Sequence, residues 1–262
     1  MPRPAAKFRL ILAFVALQPF PNRSTVFGLR LRQWLVVAVA VAVAYSLTAA
    51  IAVVGTWMTL TRDPTPAELR RAADVEVARR WQAWPSGRIF PERLAYAPPD
   101  GRQEQARRAG IATDTACEAG LDPDLVGKLR ALGCRGVLRA TYVDRLQGVV
   151  VTVGVVVFPD PTAAARARRE VPGSATALRA APFPGTVAAR FEDPARQYGT
   201  AERGGPYLAL STAGQADGRP AEALGDRRRT EIFEFAPQLA HTVLRALSTP
   251  ALPDCDRPEW RC

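Results

Sequence analysis

The chain has 262 residues, 48% of them apolar, with a formal charge of +10; this is enough apolar material for one folded core with or without a membrane anchor, and too much for wholesale disorder. Arg3, Lys7, Arg9, Arg23, Arg30 and Arg32 stand in a stretch with no acid, whereas residues 61–262 hold 29 basic against 25 acidic groups. A part so nearly balanced has no electrostatic reason to grip a polyanion, and with no run that interleaves arginine with aromatics, nucleic acid is excluded as a partner.

From Trp34 to Leu60 the chain reads WLVVAVAVAVAYSLTAAIAVVGTWMTL, without a charge. Its 27 residues exceed the roughly 20 needed to cross the hydrocarbon of a bilayer as a helix. Trp34 and Trp57 are about 35 Å apart at 1.5 Å per residue, which sets an indole at each headgroup level as an interface anchor. The basic N-terminal flank is expected to stay in the cytoplasm and the long C-terminal part to be exported, although Arg62, Arg70, Arg71, Arg79 and Arg80 follow the other end and oppose this. A signal peptide cut near Ala52 is the rival expectation, because Ala50 and Ala52 form an A-x-A site; the apolar run continues past it. The shorter LILAFVAL, residues 10–17, cannot span; it is expected to lie on the inner leaflet or to precede the true start.

Cys117, Cys134, Cys255 and Cys262 all fall on the expected exported side, and an even number there points to disulfides. Three pairings are open; Cys117 with Cys134 and Cys255 with Cys262 close the short loops. Without a C-x-x-C pair, and with the single histidine remote from every cysteine, no metal site is expected.

Beyond the apolar run, Thr65, Pro66 and Glu68 take the cap, first and third positions of a helix, a capping box with a proline start. Leu69, Ala73, Val77 and Trp81 then recur on one face, predicting an amphipathic helix whose stripe is expected to pack on its own domain, with a partner helix or the bilayer surface as the alternatives. Residues 85–116, with Pro91, Pro98, Pro99 and Gly101, read as an irregular linker with a short helix around Glu104–Ala109. Asp122 and Pro123 begin the next helix, which Gly133 closes. GVLRATYVD follows as a half-buried strand, and Asp144–Gly148 as a hairpin connection.

Val149–Phe158 would be only about 15 Å long as a helix, so it cannot be a second helical span. Seven valines in ten residues make it the central strand, with Gly154 marking a bulge or a close backbone approach. Asp160 and Pro161 open another helix. Residues 187–191 and YLALSTA from Tyr207 read as two more strands, and Ala240, Leu244 and Leu247 mark the buried side of a last helix. Residues Thr230–Ala236 read as extended, with Pro237 fitting that helix's first turn.

The order helix, strand, strand, helix, strand, strand, helix predicts an α+β domain, an antiparallel sheet with packed helices behind one transmembrane helix. The layout is a basic cytoplasmic tail (1–33), the transmembrane helix (34–60), a juxtamembrane helix and linker (61–116), the extracytoplasmic domain (117–250) and a cysteine-containing tail (251–262).

Catalytic signatures are missing. His241 is the only histidine and reads as a solvated surface residue, and no nucleophile elbow, zinc-protease, P-loop or dinucleotide motif occurs. Glu192 with Asp193, or Asp122 with Asp124, are carboxylate neighbours that establish no defined separation across a cleft. The arginine runs 166–169 and 227–229 read as solvated faces. No catalytic residue, cofactor or metal ligand is assigned. The expected partners are the lipid bilayer, through residues 34–60, and a protein, wall polymer or small ligand at the cell surface.

The basic start, the Val/Ala anchor, GCRGVLRATYVD, VVVTVGVVVFPD and YLALSTAGQADGRP together resemble a family of uncharacterised actinobacterial single-pass membrane or secreted proteins with no assigned activity. The paired cysteines and valine strand are also similar to the exported sensor domains of membrane-anchored bacterial kinases, although no kinase motif is present. The function expected is a non-enzymatic binding or scaffold module; the alternatives are an exported hydrolase using acids in a cleft, or a sensor of a small ligand.

Overall fold

A computed structural model describes residues 31–98, 101–171, 177–222 and 230–251. The chain divides into two compact units, one ending at Asp63 and one beginning at Pro64. Cys255, Cys262 and the arginine run 227–229 lie outside the described residues.

The described residues of the first unit form one helix, α1 (Leu31–Thr61). It is long and apolar enough to cross a membrane, and its apolar stretch is not buried in protein. The hydroxyls of Ser46, Thr48, Thr56, Thr59 and Thr61 each donate to a carbonyl three or four residues back. A span must satisfy its polar groups internally in this way, because hydrocarbon supplies no partner.

The second unit opens with α2 (Pro66–Ala83) and its capping box: the Glu68 N–H donates to Thr65 Oγ1 while the Thr65 N–H donates to Glu68 Oε2 at 2.8 Å. The expected stripe packs on its own domain, with Ala73 and Val77 buried and Trp81 half-buried. Arg80, which reads from the sequence as one of the charges flanking the membrane, is buried beside them. After α3 (Ser86–Ile89) the chain runs β1 (Arg93–Tyr96), β2 (Glu104–Ile111), α4 (Cys117–Gly120), α5 (Pro123–Ala131), β3 (Gly136–Val143), β4 (Val149–Val157), α6 (Pro161–Glu170), β5 (Tyr198–Gly204), β6 (Tyr207–Gln215) and α7 (Phe235–Ser248).

The six strands form one antiparallel sheet in the order β1-β2-β3-β4-β6-β5, with the valine strand β4 inside it. One face carries Val151, Val153, Val155 and Val157 against α7, α3 and Val77 of α2. The other puts Val156, Leu208 and Leu210 under α5 and α6. Both faces of β3 and β4 are therefore buried, and Arg139 and Thr141 are not the solvent side of a half-buried strand. The sheet curls so that α7 meets both edges: the Gln238 side chain bonds the Ala97 N–H and C=O at 2.8 and 2.9 Å beyond β1, while His241 Nδ1 lies 2.8 Å from Glu202 on β5.

Several segments differ from the sequence reading. The linker 85–116 contributes α3, β1 and β2, and Glu104–Ala109 is strand, because six residues cannot hold a helix alone while β3 offers a ladder. The sheet's bulge lies there, where the register shifts between Arg108 and Gly110. Gly154 instead allows a close approach: a Cβ would stand 2.4 Å from Leu178 Cδ1.

Val187–Arg190 is a 3-10 turn, because Thr186 Oγ1 accepts from the Ala188 N–H and starts a turn. The strand expected there is β5, whose Gly, Glu and Arg content hides it from propensity. Thr230–Phe233 is likewise a 3-10 turn and α7 begins at Phe235, since Phe233, Phe235 and Ala236 are all drawn into the core.

Residues 177–183 strap across the second face. Thr141 Oγ1 lies 2.8 Å from Thr152 Oγ1, Thr141 donates to the Ala181 C=O, and the Ala181 N–H donates to Thr152. The Cys117–Cys134 disulfide ties α4 to the residue pair preceding β3. Closing a loop of this size contributes about 3 kcal/mol on the chain-entropy account.

Candidate functional site

In β1 and β2, side chains alternate between the core and the bare part of the second face. Leu94, Tyr96 and Ala106 are buried, while Arg93, Gln105 and Arg107 are exposed. Antiparallel register sets Arg93 directly opposite Arg107, and Arg107 opposite Val143. Val143 belongs to a small apolar cluster with Val150 and Phe191. Outward from Val143 the same face therefore turns from apolar to cationic.

An open groove of about 1050 Å³ lies over this surface, bounded by the hairpin residues Asp144, Arg145 and Gln147 and by the turn Gly185–Val187. Five arginines line it, residues 93, 102, 107, 108 and 145, against two acids, Glu104 and Asp144. Both acids are already engaged. Glu104 Oε2 accepts from the Tyr96 hydroxyl at 2.7 Å and Oε1 from Arg145 Nε at 2.8 Å. The Tyr96 hydroxyl and then Arg145 hold the Glu104 carboxyl below the usual range, while burial and then Glu104 push the Tyr96 hydroxyl up to about 12. Asp144 accepts from the N–H groups of Leu146, Gly148 and Val149 and so builds the hairpin. Arg108 donates to the Phe90 C=O. Among the described residues, Arg93 and Arg107 have no hydrogen-bond or ion-pair partner on their guanidinium groups.

The carboxylate neighbours read from the sequence are redistributed. Asp122 heads α5 as expected but makes no side-chain cap bond. Its Oδ1 accepts from Arg196 Nη1 at 2.8 Å instead. Asp193 joins the same cluster: Arg179 Nε at 2.8 Å, the Ala180 N–H at 2.8 Å and Arg196 Nε at 3.4 Å. One member of each sequence pair thus meets the other through Arg196. Burial raises the Asp122 carboxyl more than Arg196 lowers it. This cluster clamps the strap beside Leu178, whose C=O also accepts from Arg196. Arg139, under the strap, reaches the Ala180 C=O at 3.3 Å, and burial followed by the Arg179 charge lowers its pKa.

His241 is half exposed and its contact with Glu202 joins α7 to β5. Cys117 and Cys134 are bonded to one another, and Trp34 and Trp57 stand toward the two ends of α1. No cluster of three or more His, Cys, Asp or Glu that could hold a metal occurs among the described residues. The groove residues were missed because β1 is four residues long between prolines; the alternation of Arg93, Leu94, Ala95 and Tyr96 was the available signal. Compared with family models, curated proteins and solved structures, the chain matches none.

Proposed function

We propose that this chain is a membrane-anchored extracytoplasmic domain that acts by binding a ligand at the cell surface, not by catalysis. In this reading α1 spans the bilayer with its basic flank in the cytoplasm. The domain from Pro64 onward then occupies an oxidising compartment, where the Cys117–Cys134 disulfide persists. An anchor is favoured over a signal cut near Ala52 because one unbroken helix runs through that site to Thr61.

The observation that carries the binding reading is which groups remain unspent in the groove. Glu104 and Asp144 are engaged by a hydroxyl, a guanidinium and backbone N–H groups, and Arg93 and Arg107 are left over. A guanidinium keeps its charge near neutral pH and neither takes nor gives a proton, so it holds an anion but does no acid–base work. The hydrolase alternative requires two acids facing each other across a cleft, and Arg196 lies between Asp122 and Asp193.

Protease added to intact cells that produce the full chain with a C-terminal tag should remove tag and domain while a cytosolic control survives. Protection of the tag would overturn the orientation. A mature chain beginning after Ala52 would replace the anchor with a cleaved signal.

A further inference from the structure

We propose that Arg93 and Arg107 form the head of a binding site for a small soluble organic phosphate, held in the groove by its phosphoryl group. This deepens the binding reading and rests on it, but does not depend on which way α1 crosses the membrane.

Like charges directly opposite one another across two strands destabilise a sheet. The pairing of Arg93 with Arg107 is therefore an arrangement that folding alone disfavours. Nearby acids do not relieve it, because Glu104 is engaged by Tyr96 and Arg145, and Asp144 by three backbone N–H groups. A bound anion relieves it at once.

The geometry selects the kind of anion. Directly opposed residues bring their Cβ atoms to about 4.5–5.5 Å, so two guanidinium forks can converge on one group. A carboxylate offers one charge in one plane and neutralises one of them. A phosphomonoester carries about −1.5 to −2 at neutral pH on three oxygens and can accept from both forks together. The groove's volume of about 1050 Å³, with Gln103, Gln105, Gln147 and Thr186 along it, leaves room and hydrogen-bonding groups for an organic part.

Gln103, Gln105, Gln147 and Thr186 line the groove beside the arginines and favour a soluble ligand with a polar organic part over a lipid with apolar chains. The exposed apolar Leu146, next to Arg145 on the β3–β4 hairpin, makes vesicle binding the outcome to check.

The test uses the full chain in zwitterionic nanodiscs, titrated calorimetrically with glucose 1-phosphate, inorganic phosphate, glutarate and a polyglutamate peptide, and floated with phosphatidic acid vesicles. Saturable binding of glucose 1-phosphate, stronger than that of glutarate, is expected. R93A and R107A should each weaken it about tenfold or more, since each removes charge-assisted bonds. R93K/R107K should recover only part, because an ammonium cannot fork. R166A/R169A, which removes the same charge from the exposed side of α6, should leave binding unchanged. R107A should also raise the unfolding midpoint as it loses binding, which separates a ligand site from a structural role.

Absence of saturable phosphate binding, equal loss in R166A/R169A, preference for polyglutamate, or capture by phosphatidic acid vesicles that survives R93A/R107A would each overturn the proposal. None of these results touches protease accessibility, so failure of the groove assignment is distinguishable from failure of the anchored-domain reading.

Discussion

Replacing Arg80 with alanine should be among the most damaging single changes in the domain from Pro64 onward. The residue is 4% exposed, and its Nη1 donates to the carbonyls of Ala246, Leu247 and Thr249 at 2.9, 3.1 and 2.8 Å. Those are the orphan carbonyls at the end of α7, where a cation also meets the favourable end of the helix dipole. Its Nε bonds Glu76, and the guanidinium lies 4.8 Å from the centre of the Trp84 ring.

Hydrogen bonds to a charged group are each worth about 1.5–3 kcal/mol, and removing one member of a buried ionic set costs about 3–5 kcal/mol. Water can refill part of the gap and Glu76 is partly exposed, so about 3 kcal/mol is the expected loss for R80A. For a domain of this size that lowers Tm by about 6–12 °C. Pulse proteolysis of the full chain in mild detergent across a urea series reads the midpoint without needing reversibility of the whole. R80K should recover less than half, because one ammonium cannot serve three carbonyls and the ring together. A loss below about 1 kcal/mol in R80A, or full recovery in R80K, would refute the account of Arg80 as the cap of α7.

Two further outcomes follow from the same contacts. G154A should destabilise by about 1–3 kcal/mol, because its Cβ collides with Leu178, and adding L178A should return part of that loss in a double-mutant cycle of urea midpoints; additive losses would contradict the close approach. Because Tyr96 and Arg145 lower the folded-state pKa of Glu104, its contribution is full above the unfolded value near 4.3 and is lost as pH falls through the lower folded value. E104Q should therefore flatten the acid limb of stability below about pH 4, measured as denaturation midpoints from pH 2 to 6, and an unchanged limb would rule that linkage out.

What the sequence made legible is what a single local signal controls. The capping box at Thr65, the cap at Asp160, the valine run of β4 and the apolar length of α1 each depend on neighbours within a turn or on composition alone. Elements whose conformation is decided across the sheet were not legible. β2 is strand because β3 pairs with it, and β5 because β6 does, although their Arg, Glu and Gly residues argue otherwise. Arg80 shows the same limit for a side chain: in sequence it is one of several flanking charges, and its role comes from carbonyls some 166 positions away. The groove needed both, since it depends on β1 and β2 existing and on their register.

A second explanation of Arg93 has to be weighed, because β1 is an edge strand and proteins guard edges with charge. Guarding accounts for Arg93 alone. Arg107 lies on β2, which is paired on both sides, and an edge needs no charge there. The substitution R93E tests the two explanations together. It keeps a charge on the edge and so preserves solubility, and it replaces a cross-strand repulsion with an ion pair worth roughly 0.2–1 kcal/mol. The urea midpoint should rise slightly while phosphate binding is lost. If R93E leaves binding intact, or lowers the midpoint, Arg93 is only an edge guard and its opposition to Arg107 is not held in place by a ligand.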